Sequence, residues 1–302
     1  MVDQPVERLT PGEEHPYYLV QEHVNRYLFA AKHAKARTVI DLGCGSGYGS
    51  FVLANMGAAR VVAVDISSTT LEFAKKHYKR PNIDWVRADV ARLPFRRRSS
   101  DVTVSFETIE HLNAHVEFVA ECQRTLKSSG TLIISTPNKE IFSPASAKSD
   151  NPHHVHEFFV GELEFLLGQF FRRITLHGQT PNEILEEGNE PDTRLCPMPL
   201  NTAEYRFDSK YEVLPFRQDC RMIVVLCRSP KQNRRNPASL KSELDLIHFR
   251  ELSRVLEAVV RSKATEPARD PMSALLRLYY TRKDLQEAFP EVVSGDYDNL
   301  LN

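Results

Sequence analysis

The stretch VIDLGCGSGYGS, residues 39–50, decides how the rest of the sequence is interpreted. It opens with an apolar run typical of a buried strand. Three glycines then fall within five positions, at Gly43, Gly45 and Gly47. Glycine at that density marks backbone that turns sharply or is approached closely by another molecule. Apolar residues resume at helical spacing from Phe51, so the segment predicts a strand, a glycine turn and a helix.

Strand and helix patterns alternate from about residue 37 onward. Such alternation, with strands this apolar, predicts an α/β fold whose mostly parallel sheet has helices on both faces. Two further helices are expected near 239–263 and 271–287, as a C-terminal helical appendage. We expect three regions: an N-terminal helical cap at 1–36, the main domain at 37–228 with an insertion at 180–219, and a linker with a helical segment at 229–302.

Composition excludes several classes of protein. The net charge of -1 gives no general attraction to nucleic acid or to an anionic membrane. Five cysteines, an odd number without any CxxC pair, argue against a disulfide framework and against a zinc cluster, and fit a reducing compartment. No apolar run approaches the ~20 residues that a membrane span needs, and the N-terminus lacks the apolar core of a signal peptide. We expect a soluble, cytoplasmic protein.

Three acids end successive strands of the predicted sheet: Asp41, Asp65 and Asp89. The carboxyl ends of parallel strands meet at one edge, where such sheets bind ligands. A carboxylate at the end of the second strand can accept hydrogen bonds from both ribose hydroxyls of a nucleoside. The dinucleotide fingerprint fails because Tyr48 stands at its third glycine, and no phosphate-binding lysine follows. These features favour a nucleoside that carries positive charge and no phosphate.

The glycine turn resembles motif I of the class I S-adenosylmethionine (SAM)-dependent methyltransferases, for which D-x-G-x-G-x-G is typical. Residues 37–179 follow that family in order. The resemblance implies a Rossmann-like sheet of seven strands, SAM as cofactor and S-adenosylhomocysteine as product. It implies that Asp41 orders the turn or binds the amino group, and that Asp65 takes the ribose hydroxyls. The expected cofactor-binding residues are Arg26, Tyr27, Asp41, Gly43, Cys44, Gly45, Asp65, Ile66, Asp89, Val90 and Phe106.

The segment SFETIEHL, residues 105–112, ends the fourth strand at the same edge. Methyl transfer to a hydroxyl needs an in-line acceptor and a group that takes the hydroxyl proton. Histidine suits that task near neutral pH, so His111 is the predicted general base, against the alternative of a structural histidine near a helix start. The loop NPHHVHEF, residues 151–158, offers donors, a second base or ligands through three histidines. The predicted catalytic residues are Glu107, Glu110, His111 and His156, with His153 and His154 as further loop candidates.

Several short segments together resemble a bacterial methyltransferase group that is often found with glycosyltransferases and cell-surface polysaccharide genes. They are YGS (48–50), SFETIEHL, STPN (135–138), NPHHVHEF and GQ (178–179). The resemblance implies O-methylation of a sugar or glycan hydroxyl, and a glycosyltransferase as a domain or partner. It also implies that the segment EHVNRYLFAA, residues 22–31, is a helix that closes over the cofactor.

Other functions remain open at this point. Glu107, Glu110 and His111 form E-x-x-E-H, which with His156 resembles the Mg²⁺ or Mn²⁺ site of small-RNA 2′-O-methyltransferases. RNA binding should leave a basic surface, which the net charge of -1 disfavours. Small phenol or quinone-precursor acceptors share the pattern. A non-catalytic SAM-binding scaffold is a further alternative. The C-terminal segment indicates either a piece of a longer multidomain enzyme or a helical appendage for homodimerisation.

Overall fold

The computed structural model describes residues 9, 13–143, 151–179, 195–197, 213–217, 220–231 and 237–263. The helices are α1 (Tyr17–Ala34), α2 (Tyr48–Asn55), α3 (Ser68–His77), α4 (His115–Thr125), α5 (Lys139–Phe142), α6 (Val160–Phe170) and α7 (Pro237–Lys263). The strands are β1 (Glu14–Pro16), β2 (Thr38–Leu42), β3 (Arg60–Asp65), β4 (Ile83–Arg87), β5 (Ser100–Phe106), β6 (Leu126–Pro137), β7 (Phe171–Gln179), β8 (Leu195–Pro197), β9 (Leu214–Pro215) and β10 (Met222–Pro230). No helix in these ranges is long and apolar enough to cross a membrane.

The main sheet has the strand order β4-β3-β2-β5-β6-β10-β7-β9. The strands from β4 to β6 are parallel, whereas β10 runs antiparallel to both β6 and β7. From β2 the chain winds outward through β3 to β4, then returns to place β5 on the other side of β2. The strand order therefore reverses beside β2, and the glycine turn leaves the sheet at that point, where open α/β sheets bind ligands.

The prediction of seven strands is wrong, because the sheet has eight. The additional strand is β9, which pairs with β7 through His177 and Gly178. It lies inside the predicted insertion at 180–219 and is only two residues long, so it has no alternating pattern that a sequence could display. A second strand from the same insertion, β8, pairs with β1 ahead of the first helix.

Helices cover both faces of the sheet, as predicted. Successive strand residues point to opposite faces. On β2, Ile40 and Leu42 join the cluster that includes residues of α4, α6 and α7, whereas Val39 joins the cluster with α1 and α2. The helix predicted at 239–263 is α7, which packs on α6 and α4. The helix predicted at 271–287 lies outside the described residues.

A close contact between α1 and α2 fixes the position of α1 over the carboxyl edge of the sheet. A Cβ atom at Gly49 of α2 would lie 1.9 Å from the ring of Tyr27 on α1. Tyr27 is buried, with an exposed fraction of 4%. The YGS segment therefore keeps a glycine where the tyrosine ring of the N-terminal helix must fit.

Gly49→Ala is expected to lower the free energy of unfolding by about 1–3 kcal/mol, because the new methyl group overpacks the Tyr27 ring. The measurement is a urea transition followed by circular dichroism. Gly161→Ala on α6 is the matched control, since its Cβ would meet only the Glu251 carboxylate at 3.5 Å. The control should be neutral or stabilised. Equal stabilities of the two variants would contradict this account of the α1–α2 contact.

Candidate active site

The three glycines after β2 have different surroundings. All have positive φ, at +71° for Gly43, +52° for Gly45 and +89° for Gly47. A Cβ at Gly43 would lie 2.4 Å from the Thr108 hydroxyl, and one at Gly47 would lie 2.6 Å from the Trp85 ring. A Cβ at Gly45 would have no neighbouring atom within 4 Å among the described residues. Two of the glycines therefore make room for protein atoms, whereas Gly45 borders open space that a ligand can fill.

The carboxylate of Asp41 connects the end of β2 to two helices. It is fully buried and accepts hydrogen bonds from the Ser50 hydroxyl at 2.5 Å and from the Tyr27 hydroxyl at 3.2 Å. Burial raises the pKa of Asp41 to about 7, although both hydrogen bonds act to lower it. Of the two roles predicted for Asp41, the observed contacts are those of ordering the turn. Ser50 was not singled out from the sequence.

Asp65 at the end of β3 holds the glycine turn from the neighbouring strand. Its carboxylate accepts from the backbone N–H of Gly45 and of Ser67, both at 2.9 Å. A carboxylate has about four acceptor positions, so it can bind several donors at once. The next residue, Ile66, exposes 62% of its surface, which is unusual for a large aliphatic side chain. Asp65 and Ile66 thus offer an acceptor and an apolar surface side by side.

The remaining predicted residues on this side differ in accessibility. Asp89 is exposed and accepts from the backbone N–H of Ala91 at 2.9 Å. The side chains of Cys44 and Val90 are buried, 2% and 7% exposed, and belong to the hydrophobic clusters. Their side chains therefore contribute to the core.

Arg26 is a fully buried cation on α1. It donates to the Gln179 side chain at 2.7 Å, and its guanidinium lies 3.9 Å from the Glu107 carboxylate. Its Nε and Nη2 atoms have no hydrogen-bond partner. Unused buried donors are rare and call for an explanation such as a ligand. An anionic group fits two free guanidinium donors. Gln179 is the second residue of the GQ segment, one of those that carry the resemblance.

Aromatic rings of α1, α2 and β5 pack together at the same edge. The Tyr27 ring lies edge-on to Phe106, with centroids 4.9 Å apart, and to Tyr48 at 5.6 Å. Phe106 is 6% exposed. Such edge-to-face pairs add to the stabilisation from burial. The segment 22–31, expected as a helix, is part of α1, and its Tyr27 hydroxyl donates to Asp41. That Tyr27 and Arg26 contact the cofactor stays a prediction.

The residue after β5, Glu107, adopts a backbone conformation unusual for a side chain of its size. Its φ is +50°, and its carboxylate accepts from the Ser135 hydroxyl at 2.9 Å. Residues held in such sparsely populated conformations cluster at functional sites. Glu107 and Arg26 face each other at the carboxyl edge, which brings two of the predicted site residues together.

Glu110 and His111 lie on the short 3₁₀ turn that follows β5. Glu110 is fully buried, and its Oε1 has no hydrogen-bond partner. Burial raises the pKa of Glu110 well above its ordinary value, and the charge of Glu107 adds to that effect. His111 is partly buried, and its Nδ1 donates to the backbone carbonyl of His153 at 2.8 Å. Since a carbonyl only accepts, this bond assigns the proton to Nδ1 and a lone pair to Nε2 in the neutral ring.

The loop histidines divide between two clusters. His154 lies beside His111, with ring centroids 5.0 Å apart, and one ligand atom from each of Glu110, His111 and His154 falls within 4.8 Å of the others. His156 instead hydrogen-bonds to Glu162 at 2.6 Å. The metal-ligand set predicted as Glu107, Glu110, His111 and His156 is therefore not the group assembled here. His154 stands where His156 was expected, because the loop backbone turns the two side chains to different neighbours.

Comparison with known proteins finds relatives of part of the chain. Residues 40–134 match the family model described as a methyltransferase domain. It is 38% identical over 161 residues to a "probable S-adenosylmethionine-dependent methyltransferase" of Mycobacterium tuberculosis, a match that spans 53% of this chain and 58% of the relative. It is 29% identical over 130 residues to the ubiquinone biosynthesis O-methyltransferase of Coxiella burnetii, spanning 42% of this chain and 55% of the relative.

The matched part of the chain covers less than two thirds of either relative. A solved structure of a SAM-dependent methyltransferase from Thermotoga maritima superposes with a TM-score of 0.53 at 16% identity, over 70% of this chain and 93% of that chain. This likeness shows the Rossmann-like methyltransferase fold. The family model and the curated relatives show that this part of the chain is similar to SAM-dependent methyltransferases.

Asp41→Asn is expected to change how stability depends on pH. With a pKa near 7 in the folded protein and 3.8 as its ordinary value, Asp41 holds its proton more tightly when folded. Its contribution to stability is therefore present below about pH 4 and is lost as the pH rises toward 7. Asparagine does not titrate, so the variant should show a smaller decline in unfolding free energy between these limits, measured as urea midpoints across the pH range.

Asp84→Asn is the control, because Asp84 is half-exposed in a surface pair with Arg60. It should leave the pH dependence as in the wild type, since exposed pairs contribute little. An unchanged pH dependence in Asp41→Asn would show that Asp41 does not titrate between pH 4 and 7.

Proposed function

We propose that the protein transfers the methyl group of SAM to a hydroxyl group, with SAM bound at the glycine turn and His111 as the general base. The observation that carries the proposal is the hydrogen bond from His111 Nδ1 to the His153 carbonyl, 2.8 Å long. It orients the imidazole and leaves on Nε2 the lone pair that a base requires.

The residues at the glycine turn fit SAM in three respects. Gly45 borders open space, so the backbone admits a close ligand. The Asp65 carboxylate is an acceptor of the type that suits ribose hydroxyls, and exposed Ile66 offers an apolar contact to the adenine. The unused donors of Arg26 suit the carboxylate of the methionine moiety. When bound, SAM supplies an electrophilic methyl carbon on a sulfonium sulfur.

His111 acts on the acceptor hydroxyl in this proposal. With SAM bound, the methyl–sulfur bond would break as the hydroxyl oxygen takes the methyl group, so that S-adenosylhomocysteine would leave as a neutral thioether. The hydroxyl proton would move to His111 Nε2. The His153 carbonyl continues to accept from Nδ1 and stabilises the resulting imidazolium. Glu110 lies in the same cluster, and the raised pKa of its carboxyl favours a neutral neighbour before the proton arrives. A base of this kind contributes about 10²–10⁴-fold to the rate.

A sugar or glycan hydroxyl is the acceptor that we propose. The proposal rests on the resemblance of the SFETIEHL and NPHHVHEF segments to methyltransferases found with polysaccharide genes, and on the net charge of -1, which disfavours RNA. Sugar hydroxyls are weakly acidic and need a base. A phenolic acceptor is the second candidate, favoured by the similarity to a ubiquinone biosynthesis O-methyltransferase.

His111→Ala is expected to lower kcat by about 10²–10⁴-fold, since the proton acceptor is lost. The dissociation constant of SAM, measured by calorimetry, should stay unchanged because His111 is not among the cofactor contacts. His77→Ala is the control, as His77 lies exposed at the end of α3 and hydrogen-bonds only to the Phe73 carbonyl in that helix. If His111→Ala turned over like the control, the base assignment would be wrong.

The acceptor is tested by transfer of labelled methyl from SAM into a bacterial extract separated into glycan, nucleotide-sugar, RNA and phenol or quinone pools. Each pool is assayed alone, with EDTA, and with EDTA followed by Mg²⁺ or Mn²⁺. Label in the glycan or nucleotide-sugar pool that does not need added Mg²⁺ or Mn²⁺ is the expected result. Label in the phenol pool would replace the sugar acceptor by the second candidate.

Two further outcomes would overturn the proposal. Label in RNA that disappears with EDTA and returns with Mg²⁺ or Mn²⁺ would indicate a metal site at Glu110, His111 and His154 in place of a free base. Tight SAM binding without label in any pool would favour a non-catalytic scaffold.

A further inference from the structure

We infer that the protein has a zinc-binding site formed by His115, His156, Glu162 and His248. This site takes no part in methyl transfer. The four residues come from four different segments: the start of α4, the 151–158 loop, α6 and α7. His115 and His248 are far in sequence from the other two and meet them only in the folded chain. A site built this way would cross-link the loop and three helices on one face of the sheet.

Three of the residues already form a compact group. Glu162 accepts from His156 Nε2 at 2.6 Å and from His248 Nδ1 at 2.8 Å. One ligand atom from each of these three residues falls within 4.8 Å of the others. The Glu162 side chain is 1% exposed, and those of His248 and His156 are 8% and 22% exposed. The group is therefore largely shielded from water but has one partly accessible member, through which an ion can enter.

His115 supplies the observation that points to a ligand. Its ring lies 5.1 Å from the His156 ring, and its buried Nε2 has no hydrogen-bond partner. In the neutral tautomer protonated at Nδ1, Nε2 carries a lone pair. A buried lone pair without a donor is a position that a metal ion can satisfy.

The donor set selects the ion. Three imidazoles and one carboxylate suit Zn²⁺, which is tetrahedral and takes nitrogen and oxygen ligands at about 2.0–2.2 Å. Tetrahedral ligands at that range lie about 3.3 Å apart. The separations from Glu162 to His156 and His248, 2.6 and 2.8 Å, are those of hydrogen bonds and must open by roughly half an ångström. His115 lies outside the group of ligand atoms within 4.8 Å of one another, so its ring must move toward the other three to complete the site. The cysteine pattern argues against a zinc cluster held by cysteines. A site of three histidines and one glutamate contains no cysteine, so that argument does not apply to it.

Binding the ion requires the two histidines that now donate to Glu162 to change their protonation. His156 Nε2 and His248 Nδ1 now donate to Glu162, and each must present a lone pair to the metal instead. A neutral ring achieves this by moving its proton to the other nitrogen, and a charged ring by releasing a proton to solvent. Zinc affinity should therefore rise with pH until both rings are neutral.

The surroundings of the four residues contain aromatic rings, which favour a bound ion, and two lysines, which repel one. Aromatic rings of Phe158 and Phe159 pack against the histidines, with centroids 4.5 Å from His156 and 5.2 Å from His248. They exclude water and keep the ligands in place. Lys139 and Lys241 are the positive charges that act on the cluster. Lys139 is compensated by Glu157 at 3.8 Å, and Lys241 is exposed to solvent, which screens it.

The test uses the full chain, stripped with EDTA and dialysed, and titrated with ZnCl₂ by calorimetry at several pH values. The expected result is one equivalent of zinc with a Kd below about 1 µM at neutral pH. Cobalt substitution should give the intense visible bands of a tetrahedral site. His248→Gln keeps an N–H donor for Glu162 and should fold, but should weaken zinc binding by about 100-fold or more, as should His115→Ala.

His154→Ala is the matched control, since it removes a histidine from the neighbouring cluster and should keep both the affinity and the cobalt spectrum. Thermal melts of all variants without metal check that each is folded. Absence of zinc binding in the wild type would overturn the inference, as would equal affinity in His248→Gln. Loss of binding in His154→Ala would assign the ion to Glu110, His111 and His154, and would likewise overturn it.

Discussion

The carboxylate of Asp41 is the interaction on which the site depends. It is buried at the end of β2 and accepts hydrogen bonds from the hydroxyls of Tyr27 on α1 and Ser50 on α2. Through these two bonds the N-terminal helix, the glycine turn and the helix that follows share one anchor. Its cost is the burial of a carboxyl, which shows in a pKa near 7. The open backbone at Gly45 is held in place by this anchor and by Asp65.

A second concentration of buried polar groups lies across the same edge of the sheet. Arg26, Glu107 and Glu110 are placed close together on α1 and after β5, and two of them retain unpartnered atoms. Unpaired buried groups reduce stability, so their presence indicates a functional requirement. The bond from His111 to the His153 carbonyl adds orientation, because it ties the turn after β5 to the 151–158 loop.

Local pattern accounted for most elements of the fold. Apolar runs, helical spacing and glycine density predicted β2 through β7, β10 and the helices α2, α3, α4, α6 and α7, because each leaves a periodic signal in the sequence. The helix α1 was expected from the family resemblance alone. The short strand β9 leaves none, and the sheet consequently has one strand more than predicted. Pairing across the sheet creates such a strand, and pairing depends on residues that are distant in sequence.

The sequence by itself determined the strand–glycine–helix unit and the acids near the strand ends, since these follow from residue type and from the common edge of parallel strands. The role of His111 as general base stays a prediction. Only the tertiary structure decided which histidine joins which cluster. His154 and His156 are two positions apart in one loop, yet one lies against His111 and the other against Glu162. Loop backbone has no fixed period, so the direction of each side chain is set by the elements that pack around it.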